Sequence, residues 1–229
     1  VLEVIDRYNS MVDKNNWKEI SKACESSHAS LVAVSKTRSI GEVKEMYDLG
    51  QRIFGENRVQ ELLDKKDKLP QDIEWHLIGH LQRNKVKYIA PFVSLIHGVD
   101  SLRLIKEINK EAKKNNKLID CLLQFHIAQE ESKFGIPPSN AIEFIDNVMG
   151  LSLDGLRIRG VMGMASFVDD DAQIVREFSV LKQVFVALKS KYFSSQESFD
   201  IISMGMSSDY QLALREGSTM LRVGSKLFV

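Results

Sequence analysis

The sequence LVAVSKTRSIGEVKEMYDLG, residues 31–50, contains one complete strand-and-helix unit. Its first part, LVAVSK (31–36), is an almost uninterrupted apolar run, which is typical of a strand buried on both faces of a parallel sheet. Ser39 and Glu42 have the spacing of a capping box, in which both side chains satisfy free amides at the start of a helix. Gly50 lies where that helix is expected to end. The stretch therefore predicts one β-strand followed by one α-helix.

The same alternation recurs along the whole chain. Segments with helical periodicity, such as the face shared by Leu102, Ile105 and Ile108, separate the apolar runs. The eight strand-like segments are LVAVSK (31–36), RIFG (52–55), IEWHLIG (73–79), FVSLIHGV (92–99), IDCLLQFHI (119–127), LRIRGVMGM (156–164), FDIISMG (199–205) and MLRVG (220–224). Eight strand-and-helix units on about 230 residues have the size and rhythm of a TIM barrel. The sequence therefore predicts an α/β fold, a single (β/α)8 barrel.

An extra helix is predicted before the first strand. The apolar residues that recur on one face of the N-terminal segment are Leu2, Ile5, Tyr8, Val12 and Ile20. No helical segment follows the eighth strand, so we expect the N-terminal helix to occupy the place of the missing last one. We see no linker-like stretch, and we therefore expect one domain over residues 1–229.

The composition is that of an ordinary globular domain. The 31 basic and 31 acidic side chains balance, so there is no positive excess to neutralise a nucleic-acid backbone. No apolar run approaches the roughly 18 residues that span a bilayer. The two cysteines, Cys24 and Cys121, favour a reducing compartment and supply neither a disulfide framework nor a zinc site. We expect a cytoplasmic monomer that binds neither nucleic acid nor membranes.

Lys36 stands at the end of the first predicted strand. Because TIM barrels place their chemistry at the C-terminal ends of the strands, we expect Lys36 to be the last strand residue and to face the barrel mouth. Partial desolvation there would make the amine a nucleophile that can form a Schiff base. A solvated lysine that precedes a helix is the alternative interpretation.

Strands seven and eight carry the features of an anion site. The segment SMGMSSD (203–209) presents hydroxyls and amides before a helix, including Ser207, and Gly224 lets the backbone approach a ligand closely. Together they suggest a phosphate-bearing ligand. Plain helix capping by Ser207 or Asp209 is the alternative. Arg222 lies inside an apolar strand, where a buried cation needs a partner, and a structural ion pair is its alternative role.

Two further polar residues lie near predicted strand ends. Asn57 and His76 could each hydrogen-bond either a ligand or a neighbouring carbonyl group. His97 and His126 lack the spacing of metal ligands, so we predict that they are core residues and that no metal is bound.

Taken together, these motifs resemble the pyridoxal-phosphate homeostasis proteins, also called proline synthetase co-transcribed protein homologues. The matching segments are AVSKTRS (33–39), FGENRVQE (54–61), WHLIGHLQRNK (75–85), SMGMSSDYQLAL (203–214) and EGSTMLRVG (216–224). They extend from the first strand to the eighth. The resemblance implies a barrel related to the barrel domain of alanine racemase, without the C-terminal β domain of that enzyme, and pyridoxal 5′-phosphate as the cofactor.

The resemblance also implies a role for each site residue. Lys36 would hold pyridoxal phosphate as a Schiff base, and Arg222 would face the pyridine nitrogen. The residues that would hold the phosphate are Ser207 and Gly224, with Ser218 or Thr219 as helpers. Asn57 would lie at the edge of the cofactor. The sequence departs from the family at Phe134, at Val229 and in MGMASF (162–167), and we expect these departures to alter the rim rather than cofactor binding.

The function implied is intracellular homeostasis of pyridoxal phosphate, that is buffering, carriage or delivery to apo-enzymes, with exchange to amino acids or other amines. Arginine only donates, so Arg222 would leave the pyridine nitrogen unprotonated and weaken carbanion chemistry. We therefore expect no enzymatic activity. The alternatives are an amino-acid racemase and, less favoured, a class I aldolase. A racemase needs a second base, and Tyr210 is the one tyrosine that we consider for it, because only five residues follow Gly224 and we expect no second domain.

Overall fold

Eight parallel strands close into a barrel in the order of the sequence. The computed structural model describes residues 10–130 and 134–228, and in it every strand pairs with the next while β8 pairs with β1. The strands are β1 (Ser30–Val34), β2 (Ile53–Glu56), β3 (Glu74–Leu77), β4 (Leu95–Val99), β5 (Ile119–Gln124), β6 (Leu156–Met162), β7 (Ile201–Ser203) and β8 (Met220–Val223). Each lies within one of the eight predicted segments or overlaps it by all but one residue. The predicted TIM-type barrel is confirmed.

Helices follow the strands and cover the outside of the barrel. They are α1 (Lys14–Ser26), α2 (Ile40–Asp48), α3 (Val59–Lys66), α4 (Val86–Ile89), α5 (Leu102–Lys114), α6 (Ala141–Met149), α7 (Asp171–Tyr192) and α8 (Tyr210–Arg215). Short 3₁₀ turns precede α4 and α6. The predicted apolar face of α5 is buried through Ile105 and Ile108, because it packs against the strands.

The boundaries of α2 follow from its capping residues, as the sequence predicts. The Ser39 hydroxyl accepts a hydrogen bond from the Glu42 amide at 3.3 Å, and the Glu42 carboxylate accepts one from the Ser39 amide at 2.6 Å. Gly50 ends the turn after the helix with φ of +112°, a conformation that glycine adopts without steric cost. The first strand therefore leads directly into a well-defined helix start, and the intervening loop carries Lys36.

The N-terminal helix is shorter in the described residues than predicted. It begins at Lys14 because the Asp13 carboxylate caps it, and Leu2, Ile5 and Tyr8 lie outside the described residues. The helix packs beside the chain end: the Asp13 amide donates to the carbonyl of Leu227 at 2.8 Å. On its other side, Glu19 accepts a hydrogen bond from the hydroxyl of Tyr210 on α8. Helix α1 thus covers the outside of the barrel next to α8.

Two separate apolar cores explain why the strands are apolar on both faces. The larger core lies between the strands and the surrounding helices, and it includes Phe54, Leu77 and Ile96. The smaller core fills the barrel interior and consists of Val32, Leu95, Leu122, Met162, Ile201 and Met220. The barrel is therefore packed rather than hollow, and a ligand can be held only at its ends.

Candidate functional site

A cavity of about 800 Å³ opens at the C-terminal ends of the strands. The loops after β1, β2, β3, β5, β6, β7 and β8 all contribute to its lining. The residues singled out from the sequence that line it are Lys36, Asn57, Ser207, Arg222 and Gly224. The structure thus brings five of the seven predicted site residues into one cavity, although they are up to 188 positions apart in the chain.

Lys36 lies in the loop after β1 rather than on the strand. The strand ends at Val34, and the side chain of Lys36 is exposed, which corrects the expected strand-end position and partial desolvation. The next residue, Thr37, has φ of +64°, a left-handed conformation that is strained for a β-branched residue. The Thr37 amide donates a hydrogen bond to the Glu61 carboxylate at 2.6 Å. The loop that presents Lys36 is therefore held by a charged hydrogen bond from α3.

A buried ion pair supports this loop from below. The ammonium of Lys65 donates to the carbonyl of Ser35 and to the Glu56 carboxylate, both at 2.7 Å. The Ser35 hydroxyl donates to the same Glu56 oxygen at 2.6 Å. Burial raises the pKa of Glu56, and its other oxygen, Oε2, has no hydrogen-bond partner. Because these groups fix both the residue before Lys36 and the residue before Asn57, they hold two loops of the cavity together.

The loops after β7 and β8 meet in the cavity wall. The Gly224 amide donates to the Ser207 hydroxyl at 3.3 Å. Gly205, at the start of the first loop, has φ of +96°, and an added Cβ atom would lie 2.5 Å from the side chain of Ala213. The alternative interpretation, in which Ser207 or Asp209 only caps the following helix, does not describe these contacts. Asp209 makes no capping bond to α8, and its carboxylate instead accepts the amide of Met206 at 2.5 Å.

Arg222 lies on β8 and reaches the floor of the cavity with its side chain almost fully buried. Its guanidinium donates to the Ser203 hydroxyl at 2.6 Å and to the Gly163 carbonyl at 3.0 Å. In the described part of the chain no carboxylate forms a salt bridge with it, although the negative charge of Asp209 favours its cationic form. Burial lowers the pKa of Arg222 to about 10, which still leaves it cationic at neutral pH.

Ser218 and Thr219 are not brought to this cavity, which corrects the expectation that they help to hold a phosphate. The Ser218 hydroxyl is buried and donates to the carbonyl of Met204 at 2.7 Å. Thr219 precedes β8 and therefore lies at the opposite, N-terminal end of the barrel. There it lines a second cavity of about 520 Å³. In the sequence these residues look like neighbours of Gly224. Five positions along a strand span the height of the barrel, so Thr219 and Gly224 lie at its opposite ends.

His76 likewise does not line this cavity. It lies within β3, is 3 % exposed, and one of its ring nitrogens contacts His97 at 3.1 Å. His97 is fully buried, as predicted for a core residue. Among the described residues no group of three His, Cys, Asp or Glu side chains could hold a metal ion.

The rim contains Phe134 and Phe167, where the sequence departures were expected, and also His80 and Lys226, which sequence reasoning did not assign to the site. His80 stacks on Phe134 with ring centroids 4.3 Å apart, and both line the cavity. Phe167, from the atypical MGMASF segment, lines the same rim and is 83 % exposed. The departure at Val229 lies outside the described residues. Lys226 is a second exposed lysine of the lining. His80 and Lys226 each follow a strand end by three residues, a signal that could have indicated them.

The lining has the charge that an anionic ligand requires. It contains Lys36, Arg222 and Lys226 but no described carboxylate, together with the hydroxyls of Ser207 and Ser225. This donor set suits a phosphate group.

The described helices include none that is long and apolar enough to cross a membrane.

The sequence of residues 13–229 matches the family described as alanine racemase, N-terminal domain. The pyridoxal phosphate homeostasis protein of Aquifex aeolicus is 37% identical over 217 residues, which are 92% of this chain and 93% of that protein. The chain belongs to the pyridoxal phosphate homeostasis protein family. This result confirms the resemblance inferred from the motifs.

Solved structures agree with this family assignment. PipY of Synechococcus elongatus, solved with pyridoxal phosphate bound, is 33% identical and has a TM-score of 0.78 over 88% of this chain and 93% of its own. Alanine racemase from Bartonella henselae is 16% identical, with a TM-score of 0.70 over 91% of this chain and 58% of its own. The second likeness is one of fold, and it agrees with the expected relation to the alanine racemase barrel.

Proposed function

We propose that this member of the homeostasis protein family binds pyridoxal 5′-phosphate as a Schiff base on Lys36 and buffers or carries it without catalysing turnover. The observation that carries the proposal is the single cavity that contains Lys36, Arg222 and the Ser207–Gly224 contact. Its cationic lining fits a phosphate ester. The PipY relative was solved with the same cofactor bound. The bound cofactor would supply a reactive aldehyde, which the cavity would sequester.

Each residue of the cavity then has a role that its chemistry supports. The Ser207 hydroxyl and the Gly224 amide would donate to the phosphate, and Arg222 would donate to the pyridine nitrogen. Asn57 would lie at the edge of the ring. Because a guanidinium has donors only, Arg222 would keep the pyridine nitrogen unprotonated. An unprotonated nitrogen weakens the ability of the ring to accept electrons, which disfavours transamination and decarboxylation but allows reversible exchange with amino acids or other amines. Apo-enzymes that require the cofactor would be its recipients.

Borohydride reduction followed by peptide mass spectrometry tests the Lys36 assignment. The lining contains a second exposed lysine, Lys226, which provides a matched control. We expect the reduced cofactor on the peptide that contains Lys36, loss of the visible absorption band in Lys36→Ala, and retention of the band in Lys226→Ala. The fold should survive both changes because both side chains are exposed. A cofactor mass on the Lys226 peptide would contradict the assignment, and a colourless wild type would favour the aldolase alternative.

Racemisation is the second candidate, and one observation bears on it. It needs a base on each face of the cofactor, and Lys36 can serve only one. No described tyrosine lines the cavity; the hydroxyl of Tyr210 instead contacts Glu19 at 3.1 Å. His80 and Lys226 are the other described residues of the lining that could act as the second base.

Chiral analysis of alanine, serine and proline after incubation with the cofactor-loaded protein decides between the two functions. We expect the optical purity of each single enantiomer to persist, because no described tyrosine lines the cavity to act as the second base. Sustained loss of optical purity that disappears in Lys36→Ala would make the protein a racemase, and its disappearance in His80→Phe or in Lys226→Ala would identify the second base. Loss that persists in Lys36→Ala would indicate a contaminating enzyme.

A further inference from the structure

A continuous line of buried polar side chains crosses the barrel interior from the cavity floor. The guanidinium of Arg222 on β8 donates to the Ser203 hydroxyl on β7. That hydroxyl lies 3.1 Å from Nδ1 of His97 on β4, and Nε2 of His97 lies 3.1 Å from Nδ1 of His76 on β3. All four residues are buried. We call these four residues the barrel relay.

The hydrogen positions in the barrel relay follow from its first member. Arginine can only donate, so the Ser203 oxygen accepts, and its single hydrogen then has one acceptor within reach, Nδ1 of His97. If His97 Nδ1 carried a hydrogen instead, the buried serine hydrogen would have no acceptor, which is costly. His97 therefore carries its hydrogen on Nε2 and donates to Nδ1 of His76. His76 in turn carries its hydrogen on Nε2.

Both histidines of the barrel relay are held neutral. Burial lowers the pKa of His76 to about 3. Burial lowers the pKa of His97 well below its ordinary value, and electrostatic repulsion, from His76 if it takes up a proton and from the cationic Arg222, lowers it further. Arg222 is thus the one charged member; no described carboxylate forms a salt bridge with it, although the charge of Asp209 acts on it. Its orientation depends on two neutral acceptors, Ser203 and the Gly163 carbonyl.

We propose that Ser203 and His97 are positioning residues that hold the guanidinium of Arg222 in place as a fixed donor toward the cavity. This inference rests on the proposed function, in which Arg222 faces the pyridine nitrogen. A serine hydroxyl rotates freely, so its lone pair stays on Arg222 only while its hydrogen is engaged elsewhere. His97 provides that acceptor, and His76 fixes the tautomer of His97. The barrel relay thereby holds a group that can only donate opposite the pyridine nitrogen, through Ser203 and His97, which do not line the cavity.

The tautomers can be measured on the protein without cofactor, by nitrogen NMR of ¹⁵N-histidine-labelled protein. His97→Gln and His76→Gln identify the two signals. We expect both rings to be neutral between pH 5 and 8, with the hydrogen on Nε2 and a bare Nδ1. A hydrogen on Nδ1 of His97, or a protonated ring in either residue, would overturn the barrel relay whether or not the cofactor binds.

The positioning role is tested on the cofactor-loaded protein with two variants of His97. Glutamine can accept and donate as the neutral imidazole does, whereas His97→Leu removes both functions. We expect His97→Leu and Ser203→Ala to weaken pyridoxal phosphate binding roughly tenfold and to shift the visible absorption maximum, while His97→Gln restores both. Wild-type affinity and spectrum in His97→Leu would overturn the proposal. If the wild type bound no cofactor, the proposed function would fail while the tautomer measurement still decided the barrel relay.

Discussion

The contact between Ser207 and Gly224 is the residue-scale feature that prepares the site for a phosphate. At 3.3 Å the hydrogen bond from the Gly224 amide is longer than the usual 2.9–3.0 Å, so the amide can turn to a stronger acceptor at little cost. Hydrogen bonds to charged groups contribute about 1.5–3 kcal/mol each, more than a neutral contact does. The loops that carry Ser207 and Gly224 are therefore held near each other, while the Gly224 amide and the Ser207 hydroxyl can still donate to a ligand.

Removal of the Ser207 hydroxyl should weaken the binding of pyridoxal phosphate roughly tenfold or more and should leave the binding of pyridoxal unchanged. Equilibrium titration of wild type and Ser207→Ala with both ligands measures this. Ser225→Ala is the matched control, because Ser225 is an exposed hydroxyl of the same lining. Equal dissociation constants of the wild type for the two ligands would show that the Ser207 and Gly224 loops are structural turns only.

At the scale of elements, two helices end in the same way with different residues. After α1, His28 has φ of +53°, and after α5, Asn116 has φ of +51°. In both turns the following amide returns to a carbonyl in the last helical turn, that of Ala29 to Cys24 and that of Lys117 to Ala112. The left-handed conformation costs about 1–2 kcal/mol for most residues, whereas asparagine and glycine adopt it more readily. His28 is therefore a source of strain in the helix-to-strand turn.

His28→Gly should raise the free energy of unfolding by about 0.5–1 kcal/mol, since relief of the strain exceeds the entropy that glycine adds to the unfolded chain. Urea denaturation followed by circular dichroism measures the change. Asn116→Gly, at the equivalent position after α5, should have a smaller effect because asparagine already tolerates the conformation. A lower denaturation midpoint for His28→Gly than for wild type would contradict the expected strain.

At the scale of the whole molecule, the barrel interior couples stability to pH. His76 has a pKa of about 3 in the folded protein because it is buried, against an ordinary value of 6.5. The pKa of His97 is also lowered, with burial as the largest cause. Below pH 6.5 the unfolded chain therefore binds protons that the folded chain excludes. The contribution of these histidines to the free energy of unfolding is complete above that pH, and it is lost as the pH falls toward about 3.

The free energy of unfolding should fall by about 1.4 kcal/mol per pH unit for each of the two histidines below their ordinary pKa. Urea denaturation at pH 7 and pH 5 measures this slope. The double variant His76→Gln, His97→Gln should have a flatter pH dependence, whereas His80→Gln should resemble wild type because His80 is exposed. An unchanged slope in the double variant would show that carboxylates, not the interior histidines, govern acid unfolding.

The sequence predicted the barrel well because its signals are local. Apolar runs such as LVAVSK, and caps such as Ser39 with Glu42, depend on neighbours a few residues away. The site was predicted less completely. The residues of the site come from the ends of separate strands. The errors at Ser218 and Thr219 arose because the position along a strand, and not proximity in sequence, decides which end of the barrel a residue occupies.

The sequence by itself determined the (β/α)8 fold, the family and the candidate residues at the strand ends, since periodicity, caps and motifs are written in consecutive residues. The tertiary structure alone decided that Lys36 lies on a loop held by Glu61, that Arg222 is bound by hydroxyl and carbonyl oxygens rather than by a carboxylate, and that His97 and His76 extend from it through the interior. The physical reason is barrel closure. It sets side chains from β3, β4, β7 and β8 against each other across an interior that excludes water, and there hydrogen-bond partners are chosen by distance in space.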